Sequence, residues 1–274
     1  MNAIPTRLSP LAWSIALFLA SRFPAGAASL TASFAAIPQG SNVVLTVAGP
    51  VDWVHWGLYT ETSLDRKAGV APLISDFTLL DATNGFAYVY EFADNYNGYT
   101  WSDGTPTAAV TNTTTGVWAY GVPAAGSGFL ITAPADTTLR TLSVYVGAFA
   151  AAGKFEASLS DNSAAPYSSS FTNQSNGESR AYSITYAAQS AGQTLTVKWA
   201  LSRDVPPHTD GNVTLQAAAL STPGANNPPT VAITSPGDNA DVSAGSDVAV
   251  SANAADPDGN VTLVEFFAGA NKIG

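Results

Sequence analysis

The stretch that decides the fold reads Asp52-Trp53-Val54-His55-Trp56-Gly57-Leu58-Tyr59. Successive side chains of a β-strand point to opposite faces of the sheet, so the stretch divides into two sets. The set that suits a hydrophobic core contains Val54, Trp56 and Leu58. The set on the other face contains Trp53, His55 and Tyr59, and the pattern indicates a candidate binding surface there.

Short runs of alternating polarity continue along the chain without a long helical pattern. A β-branched run within 41–49 predicts a strand. Alternation over 139–150 and 154–160, with a turn at 151–153, predicts a hairpin with one solvent-exposed face. Trp199 alternates in step with aliphatic neighbours and is interpreted as a core residue. Many short strands predict an all-β fold, an antiparallel two-sheet β-sandwich.

The first 27 residues have the order of a secretory signal peptide. Arg7 precedes an apolar run at 11–20, and Ala25-Gly26-Ala27 provides small residues for cleavage after Ala27. The ten-residue run is too short to cross about 30 Å of hydrocarbon as a helix, so no membrane span is expected. We therefore expect a secreted, extracellular protein after signal-peptide cleavage.

Charge and cysteine content limit the partners of the mature chain. After cleavage it would keep 8 basic and 20 acidic residues, a net charge of about −12. Such a surface repels nucleic acid and anionic lipid, so neither is an expected partner. The sequence contains no cysteine, which excludes disulfides and thiolate metal sites.

A change of composition predicts a domain boundary near residue 222. Residues 223–229 are rich in proline and asparagine and predict an extended linker between a sandwich of residues 28–222 and a smaller unit of residues 230–274. The smaller unit carries Pro-Pro-x-Val-x-Ile-x-x-Pro from 228, an Asp-rich turn at 256–261 and Val-Glu-Phe-Phe at 264–267.

These motifs resemble the bacterial immunoglobulin-like repeats, and the resemblance covers residues 228–274. A complete repeat of this kind has about seven strands in about 100 residues, which is more than this segment provides. We therefore expect a truncated immunoglobulin-like domain and a C-terminal continuation of the same chain beyond Gly274.

The larger unit carries four further motifs, at 52–57, 65–69, 101–106 and 112–117. They read Asp-Trp-Val-His-Trp-Gly, Asp-Arg-Lys-Ala-Gly, Trp-Ser-Asp-Gly-Thr-Pro and Asn-Thr-Thr-Thr-Gly-Val. They resemble a sandwich domain that precedes immunoglobulin-like or fibronectin-like repeats in secreted bacterial proteins. The larger unit also resembles jelly-roll, galactose-binding-like modules, and this resemblance concerns the fold more than the site.

Motifs of catalysis do not occur in the sequence. It has no Gly-x-Ser-x-Gly elbow, no His-Glu-x-x-His and no phosphate-binding glycine loop, and its two histidines are His55 and His208. The chain is therefore interpreted as non-enzymatic and without a cofactor. A structural calcium ion at Asp256-x-Asp258-x-Asn260 lacks the glutamate of the full loop motif, so a simple turn is favoured.

Neutral sugars present apolar C–H faces and hydroxyl groups, so their sites combine flat aromatic rings with a few polar side chains. Four aromatic residues near the start of the domain supply the rings: Trp53, Tyr59, Tyr99 and Trp101. Four neighbouring residues supply polar groups: Asp52, His55, Asn97 and Asp103. The hypothesis is a non-catalytic carbohydrate-binding module that binds a polysaccharide or glycan surface by aromatic stacking.

Three alternatives stay open on the sequence alone. The same aromatic residues could form the core of the sandwich, and His55 in particular could be a hydrogen-bonded packing residue. The chain could also be a structural spacer or adhesion module without sugar binding. A glycosidase needs only a pair of carboxylates and has no short motif, so it is the third reading. An exposed aromatic strip would favour glycan binding, and burial of the four aromatics would favour the spacer.

Overall fold

Strands form nearly all of the regular structure, as the alternating sequence predicts. The computed structural model describes residues 27–81, 85–122, 125–174, 178–222, 230–237, 247–255, 263–268 and 271–273. The elements of the larger unit, in chain order, are β1 (Ser29–Ile37), β2 (Asn42–Val44), α1 (Leu45–Ala48), β3 (Asp52–Trp56), β4 (Leu64–Lys67), β5 (Thr78–Leu80), β6 (Phe86–Phe92), β7 (Gly98–Trp101), β8 (Gly104–Thr105), β9 (Val110–Thr113), β10 (Gly116–Val122), β11 (Gly128–Ala135), β12 (Arg140–Phe149), β13 (Ala151–Leu159), β14 (Tyr167–Asn173), β15 (Glu178–Ala187), β16 (Gln193–Asp204) and β17 (Asn212–Ser221).

The first sheet has nine strands and divides along β17. Its main path runs β1-β15-β12-β17-β3-β4-β8, while β10 pairs with the first half of β17 and β6 pairs with β10. Gln216 is the extra residue of a bulge where β12 pairs with β17. All of these pairings are antiparallel. Strands β10 and β3 therefore pair with successive parts of β17, and β6 is the outer strand of the β10 branch.

The second sheet has five antiparallel strands in the order β14-β13-β16-β11-β5. It shares one large apolar core with the first sheet, to which both contribute alternate residues such as Val54 and Trp56 from β3 and Phe155 and Trp199 from the second sheet. Trp199 is 1% exposed, as its periodicity predicts. The all-β, antiparallel sandwich predicted from the sequence is confirmed.

A third layer covers part of the outer face of the first sheet. It consists of α1 and a small sheet in which β7 lies between β2 and β9. A second apolar cluster lies beneath it and contains Ile37, Leu45, Trp53, Leu58, Tyr99, Trp101, Tyr145, Ala217 and Ala219. Strand β3 is therefore buried on both faces, and all five of its residues are buried.

Three local predictions need correction. Of the strand predicted within 41–49, only the three residues of β2 form a strand. One turn of helix follows, and its first residue, Leu45, packs in the second cluster. The predicted hairpin is wrong, because β12 belongs to the first sheet and β13 to the second. Their apolar faces meet across the core, and Ala150 between them has a φ of 46°. Leu58 lies in the second cluster, because Gly57, with a φ of 76°, ends the strand alternation.

The described residues of the C-terminal segment form four short strands: β18 (Thr230–Ser235), β19 (Ser251–Ala255), β20 (Phe267–Ala268) and β21 (Asn271–Lys272). β18 pairs antiparallel with β19, and β20 pairs antiparallel with β21. Several of its apolar side chains are exposed, among them Val231, Ile233, Leu263 and Ile273.

Three predictions fall on residues outside the described ranges. Residues 1–26 of the predicted signal peptide, the linker at 223–229 and the Asp-rich turn at 256–261 are among them. The signal peptide, the domain boundaries and the calcium-free turn stay predictions.

Candidate functional site

Three of the four aromatic residues predicted to bind sugar are buried. Trp53 and Tyr99 are 0% exposed and Trp101 is 1% exposed, whereas Tyr59 is 70% exposed. The ring centroids of Trp53 and Trp101 lie 5.2 Å apart, and His55 lies 5.1 Å from Trp101 and 5.6 Å from Tyr99. Tyr99 and Trp101 lie on β7 of the third layer and pack inward against Trp53 and His55 of β3. The prediction that Trp53, Tyr99 and Trp101 form an exposed stacking surface is therefore wrong.

Burial changes the ionisation of the two titratable groups in this cluster. Desolvation lowers the pKa of His55 to about 3, and a backbone group of Thr115 offsets only part of that shift. Desolvation also raises the pKa of Tyr99 far above its usual value. His55 is therefore a neutral, buried residue at physiological pH that packs against Tyr99 and Trp101.

Three of the four polar residues predicted for the site, Asp52, Asn97 and Asp103, make hydrogen bonds within the protein. The Asp52 carboxylate accepts hydrogen bonds from the backbone N–H groups of Leu73 at 2.7 Å and Ile74 at 2.9 Å. Asn97 is buried, and its side-chain amide donates to the carbonyl of Gly98 at 3.2 Å. These contacts are structural, because the side-chain oxygen of Asp52 and the side-chain nitrogen of Asn97 are bonded to other groups of the protein.

Asp103 connects the third layer to the first sheet. Its carboxylate pairs with Lys67 and accepts hydrogen bonds from the Thr46 hydroxyl at 2.6 Å and the Trp53 indole at 3.0 Å. Partial burial would raise its pKa, but the bonds from Lys67, Thr46 and Trp53 outweigh that effect and lower it. Asp103 therefore stays ionised and anchors the layer that covers Trp53.

A different set of aromatic residues forms an exposed row on β6 and β10. Antiparallel register places Trp118 opposite Tyr90 and Tyr120 opposite Tyr88, so these residues share one face. Together with Phe86 they form what we name the aromatic ladder: Phe86, Tyr88, Tyr90, Trp118 and Tyr120. The alternate residues Val89, Val117 and Ala119 pack on the opposite face against the main core.

The rings of the ladder are close together and accessible to solvent. Phe86, Tyr88 and Tyr90 are 55%, 43% and 48% exposed, while Trp118 and Tyr120 are partly buried. Consecutive centroids lie 5.4 Å apart for Phe86 and Tyr88, 6.4 Å for Tyr88 and Tyr90, and 4.9 Å for Tyr90 and Trp118. The planes of Tyr88 and Tyr90 differ by 23° and those of Tyr90 and Trp118 by 32°. Contiguous exposed apolar surface of this kind is typical of an interaction site.

The ladder leads to a cavity that we name the end pocket. The cavity has a volume of about 220 Å³ and adjoins the ladder at Trp118. It is lined by Phe92, Asp94, Asn95, Tyr96, Trp118, Gly147, Ala148, Phe149, Glu178, Ser179, Asn212 and Thr214. Aromatic walls, two carboxylates, two side-chain amides and the hydroxyl groups of Tyr96, Ser179 and Thr214 thus surround one small space.

The alternation that formed the ladder is visible in the sequence. Residues 86–92 place aromatic side chains at every second position, and residues 117–120 do the same with Trp118 and Tyr120. Aromatic residues on the face opposite Val89 and Val117 would point away from a core, so this pattern could have identified the site. The end pocket could not be identified in that way, because strands from five separate parts of the chain line it.

The described part of the chain contains no group of three or more His, Asp or Glu side chains arranged to hold a metal ion. No helix in this part of the chain has the length and apolar character needed to cross a bilayer.

Comparison with known proteins identifies the C-terminal segment. Residues 229–274 match the family model of the bacterial Ig domain, which confirms the resemblance predicted for that segment. No curated protein matches the chain. The matched family and the all-β architecture fit a non-catalytic extracellular module.

Proposed function

We propose that the larger sandwich binds a neutral glycan along the aromatic ladder, as a non-catalytic module of a secreted protein. The observation that carries this proposal is the exposed row of Phe86, Tyr88, Tyr90, Trp118 and Tyr120 on one face of β6 and β10. The chemistry is that of the sugar-binding hypothesis from the sequence, but the residues are different because Trp53, Tyr99 and Trp101 of the first set are buried.

The length of the ladder suits an extended chain of sugars. A strand rises about 3.3 Å per residue, so Phe86 and Phe92 lie about 20 Å apart along β6. Ring centroids along β6 lie 5.4 and 6.4 Å apart, and Trp118 adds a ring 4.9 Å from Tyr90 on the neighbouring strand, so the ladder offers a succession of apolar surfaces to the C–H faces of consecutive sugars. A polysaccharide presents similar sugar faces along its length, and the ladder likewise presents one aromatic ring after another.

The charge of the protein favours a neutral glycan over an anionic one. The five ladder residues are all uncharged, and the chain has a formal net charge of −10. An anionic polymer would gain no ion pair from the ladder and would be repelled by the surrounding acidic surface. The ladder therefore supports binding through stacking and hydroxyl contacts rather than through ion pairs.

The second candidate function is a spacer or adhesion module without sugar binding. The match of residues 229–274 to the bacterial Ig domain favours it, because tandem sandwiches commonly form stalks. A spacer has no need of an uncharged aromatic row on a solvent-exposed face, which is why glycan binding is preferred.

Replacing Tyr90 with Ala is expected to weaken retention on the glycan by about 1 to 3 kcal/mol, the range found for bases stacked on aromatic platforms. The mature chain would be incubated with insoluble cellulose, chitin, xylan, mannan and starch, and the bound fraction measured. Thermal unfolding of the variant should stay close to that of the parent, because Tyr90 is 48% exposed.

The matched control is Tyr59→Ala, which removes an exposed tyrosine that is not part of the ladder. This variant should be retained like the parent. Retention of the parent on none of the polysaccharides would contradict the proposal and favour the spacer. Equal retention of parent and Tyr90→Ala would show that the ladder is not the binding surface.

A further inference from the structure

The end pocket lies where the ladder stops, at the C-terminal end of β6. Phe92 continues the alternation of Phe86, Tyr88 and Tyr90 and lines the pocket, and Trp118 belongs to both the ladder and the pocket wall. A glycan that follows the ladder toward Phe92 therefore reaches the cavity directly.

The far wall of the pocket is fixed by hydrogen bonds. The side-chain oxygen of Asn95 accepts from the Gln216 amide at 3.1 Å and from the Ser179 hydroxyl at 3.3 Å. The backbone N–H of Asn95 donates to the carbonyl of Thr114 at 2.9 Å, and the carbonyl of Tyr96 accepts from the N–H of Gly40 at 3.0 Å. The segment after β6, which lines the pocket beside Phe92, is thus held in place by these hydrogen bonds.

The floor of the pocket depends on a missing side chain. A Cβ atom at position 147 would lie 2.6 Å from the hydroxyl oxygen of Thr214, closer than such contacts occur. Gly147 therefore leaves open the space next to the Thr214 hydroxyl, which accepts a hydrogen bond from the Gln216 amide at 2.7 Å. Ser179, on the neighbouring strand, is 1% exposed and also contributes to the lining.

The size of the pocket limits what it can hold. Its volume of about 220 Å³ is below the roughly 300 to 1,000 Å³ of pockets that enclose drug-sized ligands. A single monosaccharide fits this limit, whereas an oligosaccharide does not. Further sugars must lie outside, where the ladder is.

The polar lining suits hydroxyl groups more than charged ones. Asp94 and Glu178 bring carboxylate oxygens, which accept hydrogen bonds from sugar hydroxyls, and Asn212 brings an amide that can donate or accept. Glu178 is also held by the guanidinium of Arg180, at 3.0 Å from Nε. Two carboxylates in one small cavity would repel a uronic acid or a sulfated sugar.

We infer that the end pocket takes the terminal monosaccharide of a neutral glycan whose following sugars lie along the aromatic ladder. This inference rests on the proposed function and adds that the module recognises chain ends. Asp94 and Asn212 contact the hydroxyl groups of the terminal sugar, and Trp118 stacks between that sugar and the next one.

The test uses the methyl glycosides of glucose, N-acetylglucosamine, xylose, mannose and galactose as monosaccharide probes. Binding of each to the mature chain would be measured by saturation-transfer NMR, for the parent, the pocket variant Asp94→Ala/Asn212→Ala and the ladder variant Tyr88→Ala. At least one probe should bind the parent. Its affinity should fall at least about tenfold in the pocket variant, the cost of a hydrogen bond to a charged group, and stay unchanged in Tyr88→Ala.

Polysaccharide retention by the same three proteins separates this inference from the proposed function. Loss of retention by Tyr88→Ala supports the proposed function. If in that case no probe binds the parent, or the pocket variant binds the probe as well as the parent does, the chain-end inference is overturned and the proposed function stands. If the parent retains no polysaccharide, the proposed function itself fails. Asp94→Ala alone, at an exposed position, provides the measurement if the double variant does not fold.

Discussion

Replacing Trp101 with Ala is expected to lower the free energy of unfolding by about 3 to 5 kcal/mol, the usual cost of removing a large aromatic residue from a core. Trp101 is 1% exposed, its ring contacts Trp53 and His55, and its indole N–H donates to the carbonyl of Thr107 at 2.9 Å. The change removes the ring and leaves the Thr107 carbonyl without this donor. Urea unfolding of the parent and the variant measures the difference.

Trp118→Ala is the matched control, because it makes the same substitution in the aromatic ladder. Trp118 lies on the outer face and its main ring contact is the cross-strand neighbour Tyr90, so its loss should cost about 1 kcal/mol or less. The same variant should lose glycan retention. Equal destabilisation by the two substitutions would show that Trp118 belongs to a core, and a stable Trp101→Ala variant would show that Trp101 on β7 does not pack tightly against the first sheet.

Acid is expected to destabilise the fold through His55 by about 3 kcal/mol between pH 7 and pH 4. Burial lowers its pKa from 6.5 to about 3 in the folded state, so below pH 6.5 the unfolded chain binds a proton that the folded chain does not. Stability from this group is therefore complete above pH 6.5 and is lost as the pH falls toward 3. Urea unfolding across this pH range gives the slope.

His55→Gln should remove this part of the slope, and His208→Gln should leave it unchanged. His208 is 39% exposed, so it tests whether any histidine produces the effect. If His55→Gln does not fold, the ring proton signals of His55 in the parent provide the answer. They should not titrate between pH 7 and pH 4, and titration of His55 near pH 6.5 would contradict its burial.

Alternation in single strands was a reliable guide to the main sandwich. Val54 and Trp56 on β3, and Trp199 on β16, lie in the core as their spacing predicts. In each case the pattern depends only on neighbours two residues away, which strand geometry fixes. The C-terminal Ig-like segment was equally accessible, because its motifs are local.

The burial of Trp53 could not be read from strand geometry. Alternation correctly places it on the face opposite Val54, but whether that face is exposed depends on the third layer. That layer is built from β2, β7 and β9, which join it from separate parts of the sequence. A two-sheet sandwich leaves the outer faces in water, so the extra layer reversed the expected exposure of Tyr99 and Trp101 as well.

The wrong hairpin has a similar cause. Residues 139–150 and 154–160 alternate as paired strands would, but strands that face each other across a core show the same alternation. Only the backbone between them, where Ala150 has a φ of 46°, separates the two arrangements. The exposed ladder shows the same limit of alternation. Its aromatic residues alternate in the sequence as those of a core strand do, but they lie on the exposed face.

The most direct test of glycan binding at the ladder is a titration of the tryptophan indole N–H signals. Five of the six tryptophans follow the predicted signal peptide. Four of these donate their indole N–H to a protein oxygen: Trp53, Trp56, Trp101 and Trp199. The fifth is Trp118, on the ladder.

A soluble oligosaccharide of the retained polysaccharide would be added to the ¹⁵N-labelled mature chain, and the five indole signals followed. The account predicts that the Trp118 signal shifts most and that the signals of Trp53 and Trp101 stay in place. Shifts of Trp53 and Trp101 without a shift of Trp118 would contradict it and return the binding site to the strand at 52–59.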